Sequence, residues 1–492
     1  MKLSPALLLA LCFLSDDANA ISFRDFFGPR FSPTTSAATN QAPKKAIDSI
    51  HHWNQIAIDA SGLDHTPGTP AFGYQLGPGR ASRAVAIVHI AIFDAVNAVF
   101  GGYQSYAGIP SAKLPVSVDA AVAQAAHDAL SALFPAQAST FDAELASDLA
   151  NVANKNERAN GISLGQRAAA AILALRNNDG SQIAEPRLGV SYFTNDQPGH
   201  WRQDPIGLQP VALGAHWGEC APFVLQTGNQ FRAPPPPAMN SAEYTAAFNE
   251  AKTFGGDGVH TPSARTPEQS FIGVFWAYDG TPSLCAPPRL YNQITVHIAD
   301  QMHLNTIQLA RLLALMNTAM ADTGIAVWES KFFYDFWRPI GGIRESDPGF
   351  GLSGLGDGNA NTAGDPTFVP MGAPASNLTG PNFTPPFPSY PSGHGGFGGA
   401  VFQTMRRFFG TDNIAFTFVS DEFNGVTKDN AGNVRPFMPR SYTTLSQAEE
   451  ENGQSRIYLG IHWQFDKTAA IAQGRNVGNY VFDHAFLPIS KK

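Results

Sequence analysis

The stretch from Ser82 to Phe100, SRAVAIVHIAIFDAVNAVF, offers water almost no polar face in any direction. A helix that is apolar all round is stable only when other elements wrap it, so the chain must build packed helices around this segment. The same Ala-rich helical spacing recurs at 117–134, 139–152 and 161–177, and again near 241–254, 267–278, 288–303 and 305–321. Proline is nearly absent from the interiors and β-branched alternation is rare, which selects helix over strand. An all-α bundle architecture follows. His89 and Asp94, inside the apolar segment, are five residues apart and do not share a helical face; they read as core polar groups satisfied by neighbours.

At 492 residues and 43% hydrophobic content the chain can fill two domains or one large double-layered one. Ile47, Ile50, Trp53, Ile56 and Ile58 form an apolar stripe, which starts the first helical half at 46 after an irregular lead-in at 21–45. Prolines interrupt any regular element between 178 and 237. The run Pro234 to Pro237 then divides the N-terminal helical half, 46–237, from a C-terminal helical bundle, 238–492. No period of 20–50 residues repeats, which excludes a solenoid. Residues 345–391 hold many Gly, Pro, Asn and Asp; so long an irregular segment is usually functional or disordered, and its direct run into Ser392 makes it a rim over a site.

Residues 1–20 have the form of a secretory signal: Lys2, an apolar core from Pro5 to Leu14, and Ala18-Asn19-Ala20 as a cleavage site. No other stretch approaches the roughly 20 apolar residues that span a bilayer, so an exported protein that is not membrane-embedded, secreted or periplasmic, is expected. Cys12 leaves with the signal. An oxidising compartment permits a bond between the remaining Cys220 and Cys285; the sequence leaves that pairing open, as it does the oligomeric state. CxxC and Cys/His zinc spacings are absent. A net charge of −8 without a basic run argues against nucleic acid as a partner, and means that any anion must be held by a local concentration of cations.

Three blocks in the C-terminal third supply one: Lys331-FFYDFW-Arg338-Pro339, Tyr390-Pro391-Ser392-Gly393-His394, and Ser455-Arg456-IYL-Gly460-Ile461-His462-WQF-Asp466. Lys331 and Arg338 are seven residues apart, about two turns of a helix at roughly 3.6 residues per turn, so a helix there sends both cations from one face. Arg456 adds a third. Arginine offers an oxyanion a planar fork of donors and lysine a movable point charge. Ser392 contributes a hydroxyl and Gly393 an unshielded backbone N–H, leaving His394 and His462 to act on the tetrahedral oxyanion so held.

The order K-x6-R-P, PSGH, S-R-x3-G-x-H-x3-D resembles the signature shared by the vanadium-dependent haloperoxidases and the type 2 phosphatidic acid phosphatase superfamily. The segments FWAYDG (275–280), PPRLYNQI (287–294), DTGIAVWESKFFYDFWRPIGGIR (322–344) and PPFPSYPSGHGGFGGAVFQ (385–403) extend the likeness to the soluble, fungal-type chloroperoxidases over roughly 270–480. The resemblance implies two packed helical bundles, with orthovanadate at the end of the second. It implies that Lys331, Arg338 and Arg456 neutralise the vanadate oxygens, that Ser392 and Gly393 hydrogen-bond to them, that His462 is the one protein ligand to vanadium, and that His394 handles the protons of hydrogen peroxide. Asp466 would orient the His462 imidazole, and Asp279 would pair with Arg456. Trp328 and Phe387 match aromatic positions on the halide side of the pocket; at the latter the algal bromoperoxidases carry a histidine. Gly395 and Gly396 depart from bulkier family residues, which puts pocket size and halide preference in doubt.

The implied reaction is oxidation of chloride or bromide by hydrogen peroxide to hypohalous acid, with an organic halogen acceptor as a further partner. Two readings stand beside it. In an acid phosphatase His462 would be the nucleophile and His394 the acid, and a binding protein would sequester the oxyanion without turnover.

Overall fold

The computed structural model describes residues 21–33 and 48–489; the expected signal at 1–20, Cys12, and the lead-in from 34 to 45 lie outside the described residues. The described residues are mostly helical, as the periodicity implies. The N-terminal helices are α1 (Phe23–Phe27), α2 (Ser49–Asp64), α3 (Gly77–Phe100), α4 (Val118–Leu133), α5 (Ala138–Ala150) and α6 (Lys155–Leu175). After the proline-rich connection follow α7 (Ala242–Phe254), α8 (Pro267–Phe275), α9 (Pro287–Gln301), α10 (Thr306–Tyr334), α11 (Pro339–Glu345), α12 (Gly393–Phe409), α13 (Leu445–Tyr458) and α14 (Gln464–His484). Their starts are written locally. Asp48, Ser117, Asn154, Ser241, Thr266, Asn305 and Thr444 each accept a first-turn backbone N–H with the side chain, satisfying donors that a helix N-terminus otherwise leaves open.

Helix α3 is the axis of the N-terminal group. It packs on α4 and α6, and its other side lies against α10, which joins the two groups into one continuous core. Every residue from Ala84 to Ala98 is buried. Among the described residues α3 is the one helix long and apolar enough to cross a membrane, against the expectation that no mature segment is, but its most apolar window is 83% buried inside the fold. His89 bonds to Asn54 at 2.9 Å, and Asp94 accepts from Ser105, Tyr106 and Ala107; both are structural.

In the second group α10, α12 and α14 form the centre. Glycines set how closely α12 and α14 approach: a Cβ at Gly399 would stand 2.6 Å from the Ile471 carbonyl oxygen, and one at Gly478 2.8 Å from that of Ala400. Gly395 and Gly396 belong to the same packing. Added Cβ atoms there would meet Ala470 and Val327 at 3.1 and 2.7 Å, so their small size serves helix contact, and neither lines the cavity described below.

Three features depart from expectation. The lead-in is ordered at its start: α1 buries Phe26 and Phe27, and β1 (Ser32–Pro33) pairs antiparallel with β2 (Leu378–Thr379) inside the long 345–391 segment. An antiparallel hairpin, β3 (Phe416–Asn424) with β4 (Phe437–Tyr442), interrupts the helices; Phe416, Phe418 and Ser420 face inward, an alternation masked by the polar residues between them. Cys220 and Cys285 are both buried free thiols; each is lifted by burial, to about 12 and about 11, and no disulfide joins them.

Candidate active site

Lys331 sits on the last turn of α10 and is fully buried. The helix stops three residues later, where Asp335 takes a left-handed conformation (φ 50°), and Arg338 caps α11 beyond the break. The two cations therefore do not leave one helical face, as their spacing suggested; they converge because the chain turns between them. Lys331 Nζ donates to the carbonyls of Pro388 and Ser389 at 2.8 and 2.9 Å. Arg338 donates to the carbonyls of Phe387 and Ile461 at 2.9 and 2.8 Å. The tail of the long irregular segment is thus more than a rim, since its carbonyls hold the cations in place.

Arg456, on the last turn of α13, is 1% exposed and donates through Nη2 to Asp279 at 2.5 Å. His462 lies between α13 and α14. Its Nδ1 contacts Asp466 Oδ2 at 2.7 Å, and Nε2 lies 2.9 Å from Arg338 Nη1. Asp466 Oδ2 also accepts from the Trp463 N–H at 3.0 Å and from the Ser389 hydroxyl. Ser392 caps α12, whose first residues are Gly393 and His394. His394 Nε2 reaches the Ala277 carbonyl at 2.5 Å.

Electrostatics follow from burial. Both histidines are held well below the ordinary imidazole range, by desolvation first and then chiefly by Arg456 at His394 and by Arg338 at His462. Both rings are therefore neutral. Asp466 accepts the Nδ1–H of His462 and fixes the tautomer that leaves Nε2 an unprotonated acceptor, which receives an N–H from Arg338 Nη1. Burial lowers Lys331, brings Arg338 down to about 9, and raises Asp279 and, to about 6, Asp466.

Whether an oxyanion belongs here is decided by atoms without partners. Arg338 Nη2 and Arg456 Nε and Nη1 are buried and bond to nothing in the chain. A buried guanidinium donor left unpaired is costly, and three of them beside Lys331, with the buried carboxylates Asp279, Asp466 and Asp204 as countercharges but none bonded to these atoms, call for an added anion. Vanadate fits: a tetrahedral oxyanion would supply the missing acceptors, and the unprotonated Nε2 of His462 would supply a metal ligand in exchange for its hydrogen bond from Arg338 Nη1.

The cradle ends a cavity lined by Tyr278, Asp279, Trp328, Phe387, His394, Arg456 and His462. Trp328 and Phe387 pack together with ring centroids 4.9 Å apart. The Trp328 indole N–H donates to the Leu213 carbonyl at 3.0 Å, so the ring presents an apolar surface. The Phe387 ring stands 5.1 Å from Lys331 Nζ and 5.0 Å from the Arg338 guanidinium carbon. Sequence reasoning missed Ser389, the Ala277 carbonyl, and the walls built by Phe26, Phe27 and Leu213; a backbone acceptor and distant apolar residues carry no motif.

Packed helices that bury three cations, with guanidinium donors left unpartnered beside an unprotonated imidazole nitrogen, define an oxyanion-dependent enzyme. Residues 311–491 match the family described as the VCPO second helical-bundle domain. The chain is 31% identical to the vanadium chloroperoxidase of Curvularia inaequalis, over 86% of this chain and 79% of that one. It belongs to the vanadium-dependent haloperoxidases. Its fold is that of a bacterial vanadium-dependent iodoperoxidase (TM-score 0.70, 22% identity, covering 92% of this chain and 100% of that one) and of a bacterial vanadium-dependent chloroperoxidase in holo form (TM-score 0.60, 18% identity, 87% and 97%).

Proposed function

We propose that this chain, a vanadate-dependent haloperoxidase, oxidises chloride and bromide with hydrogen peroxide, using His462 to hold vanadium and His394 to move protons. The observation that carries the assignment is the set of unpartnered Arg338 and Arg456 donors beside the unprotonated Nε2 of His462. Bound there, vanadate would supply a Lewis-acidic centre at its highest oxidation state for the activation of peroxide towards halide.

The chain's own residues do the rest. Lys331, Arg338 and Arg456 are fixed before reaction, by carbonyls for the first two and by Asp279 for the third, so charge developing on oxygen meets donors that need no reorganisation. Ser392 and the Gly393 N–H complete the cradle. His394, with Nε2–H donated to the Ala277 carbonyl, keeps Nδ1 to accept a peroxide proton and return it. Trp328 and Phe387 strip water from the halide, which suits chloride, the hardest of the usual halides to oxidise.

Halide oxidation by the mature chain, followed with peroxide before and after adding orthovanadate in phosphate-free buffer, tests this reading. Activity with bromide and chloride that depends on vanadate is expected. Vanadate-inhibited ester hydrolysis without halide oxidation would instead make His462 a nucleophile. The reading extends to export, supported by Lys2, the apolar run after it and Ala18-Asn19-Ala20; N-terminal sequencing of protein recovered outside the cytoplasm should begin at Ile21.

A further inference from the structure

On one side the wall of the cavity is a single short helix. Along α1 and β1, Ser22, Arg24, Arg30 and Ser32 are exposed, whereas Phe26, Phe27 and Phe31 are buried. Phe26 and Phe27 line the cavity that ends at His394, Arg456 and His462, so α1 separates that cavity from solvent. The Phe26 ring comes within 4.0 Å of where a Cβ on Gly280 would stand, next to Asp279, the partner of Arg456. Inside the wall about 40 Å3 is open to water-sized molecules, against the roughly 10–15 Å3 that one water requires. Hydrogen peroxide and a halide suit that space. A bulkier oxidant with the same O–O bond does not.

The wall is fastened along its length. Phe27 packs on Phe23 and Phe31 with ring centroids 5.0 and 6.0 Å apart, and Phe31 meets Phe383 edge-on at 5.7 Å. Ser32 and Pro33 pair with Thr379 and Leu378, and a Cβ on Gly28 would stand 2.6 Å from the Leu208 carbonyl oxygen. Close packing of this kind holds aromatic rings in place. Resting on the haloperoxidase reading, we propose that Phe26 and Phe27 set the largest peroxide that the enzyme accepts. The reaction itself does not choose: ROOH plus X− plus H+ gives ROH plus HOX, the O–O bond breaking, the halide losing two electrons and the proton ending on the oxygen that stays with R. Hydrogen and a tert-butyl group at R differ only in bulk, which is what the wall reads. Vanadate meets the same wall, but it loads once for many turnovers, so slow passage suffices for it.

Bromide oxidation by the vanadate-loaded mature chain, with hydrogen peroxide and with tert-butyl hydroperoxide, tests this through the ratio of the two kcat/KM values. The wild type should disfavour the bulky peroxide by about 100-fold, and Phe26→Ala and Phe27→Ala should each raise its relative use about tenfold, within the range over which an apolar pocket discriminates small alkyl groups. Phe26→Leu, milder for the fold, should move the ratio the same way. Lost stability alone lowers both rates together, so Phe141→Ala, which removes a buried ring of α5 that does not line the cavity, should leave the ratio unchanged. Uptake of orthovanadate by the vanadate-free chain, read by rapid desalting and metal analysis, should quicken in the cavity variants. Equal use of the two peroxides by the wild type, a ratio that none of the cavity variants moves, or an uptake rate they leave unchanged overturns the proposal. Bromide oxidation with hydrogen peroxide reads the haloperoxidase assignment separately, so oxidised bromide without selection between peroxides sinks the wall alone.

Discussion

Asp279→Asn separates the cost of the pre-formed cradle from the benefit of filling it. Arg456 is 1% exposed, makes one hydrogen bond at 2.5 Å to Asp279, and has Nε and Nη1 without partners. Removing the charge of its partner leaves a buried guanidinium uncompensated. Breaking a buried pair in this way costs roughly 3–5 kcal/mol, and because asparagine keeps an acceptor oxygen and nearly the same volume, about 3 kcal/mol is expected. An unfolding entropy of about 2 cal/mol/K per residue gives a chain of this length on the order of 1 kcal/mol/K, so the midpoint falls by about 3 °C without vanadate. Orthovanadate at about 100 times its Kd adds about 2.7 kcal/mol to the wild type, by binding the native state alone. In the variant the same anion meets one fewer negative charge and neutralises a cation that has lost its partner, so its increment should be larger and the two melting curves should draw together. Differential scanning calorimetry in phosphate-free buffer measures both shifts. An unchanged vanadate-free midpoint, or equal vanadate increments in the two proteins, would refute the coupling of Asp279, Arg456 and the anion.

Three further outcomes follow from the same geometry. His462→Ala should abolish vanadate-dependent halide oxidation, while His394→Ala should depress peroxide turnover well beyond any loss of vanadate affinity, measured by equilibrium dialysis; full turnover of the latter across pH would remove its proton role. Asp466, raised to about 6 by burial, has a folded pKa above its unfolded one, so its contribution to stability grows as pH falls from about 6 towards the ordinary carboxylate range. Vanadate affinity should fall through that window, because the protonated carboxyl no longer fixes Nδ1–H of His462; in Asp466→Asn that limb should vanish and affinity should be about 10–100-fold weaker. Gly474→Ala should destabilise the fold by about 3 kcal/mol, the upper end for overpacking, since a Cβ there overlaps the Gly396 carbonyl oxygen; chemical denaturation measures it.

The sequence carried the helical architecture because alanine-rich periodicity is a local signal, and it carried the cations and histidines because few arrangements other than anion chemistry call for Lys331, Arg338, Arg456 and His462 in such blocks. It did not carry how they meet. The left-handed turn at Asp335 that swings Arg338 off the α10 axis is invisible in a seven-residue spacing. Helix α10 also runs on to Tyr334, beyond the 321 at which its apolar period weakens. Hairpin β3–β4 escaped because Ser, Asp, Glu and Asn share its first strand with the buried phenylalanines. Gln209 lies in a proline-broken stretch with no periodicity, so nothing local distinguishes a residue that lines a cavity from one that faces water.

The cradle and the approach to it come from different parts of the chain. Lys331, Arg338, Ser392, His394, Arg456 and His462 all fall within the 311–491 segment that matches the family domain, whereas Phe26, Phe27, Gln209 and Leu213 line the cavity from before it. The reacting centre and its doorway are thus free to drift at different rates: a lineage can rebuild who is admitted by altering residues hundreds of positions upstream, with the oxidising machinery left intact.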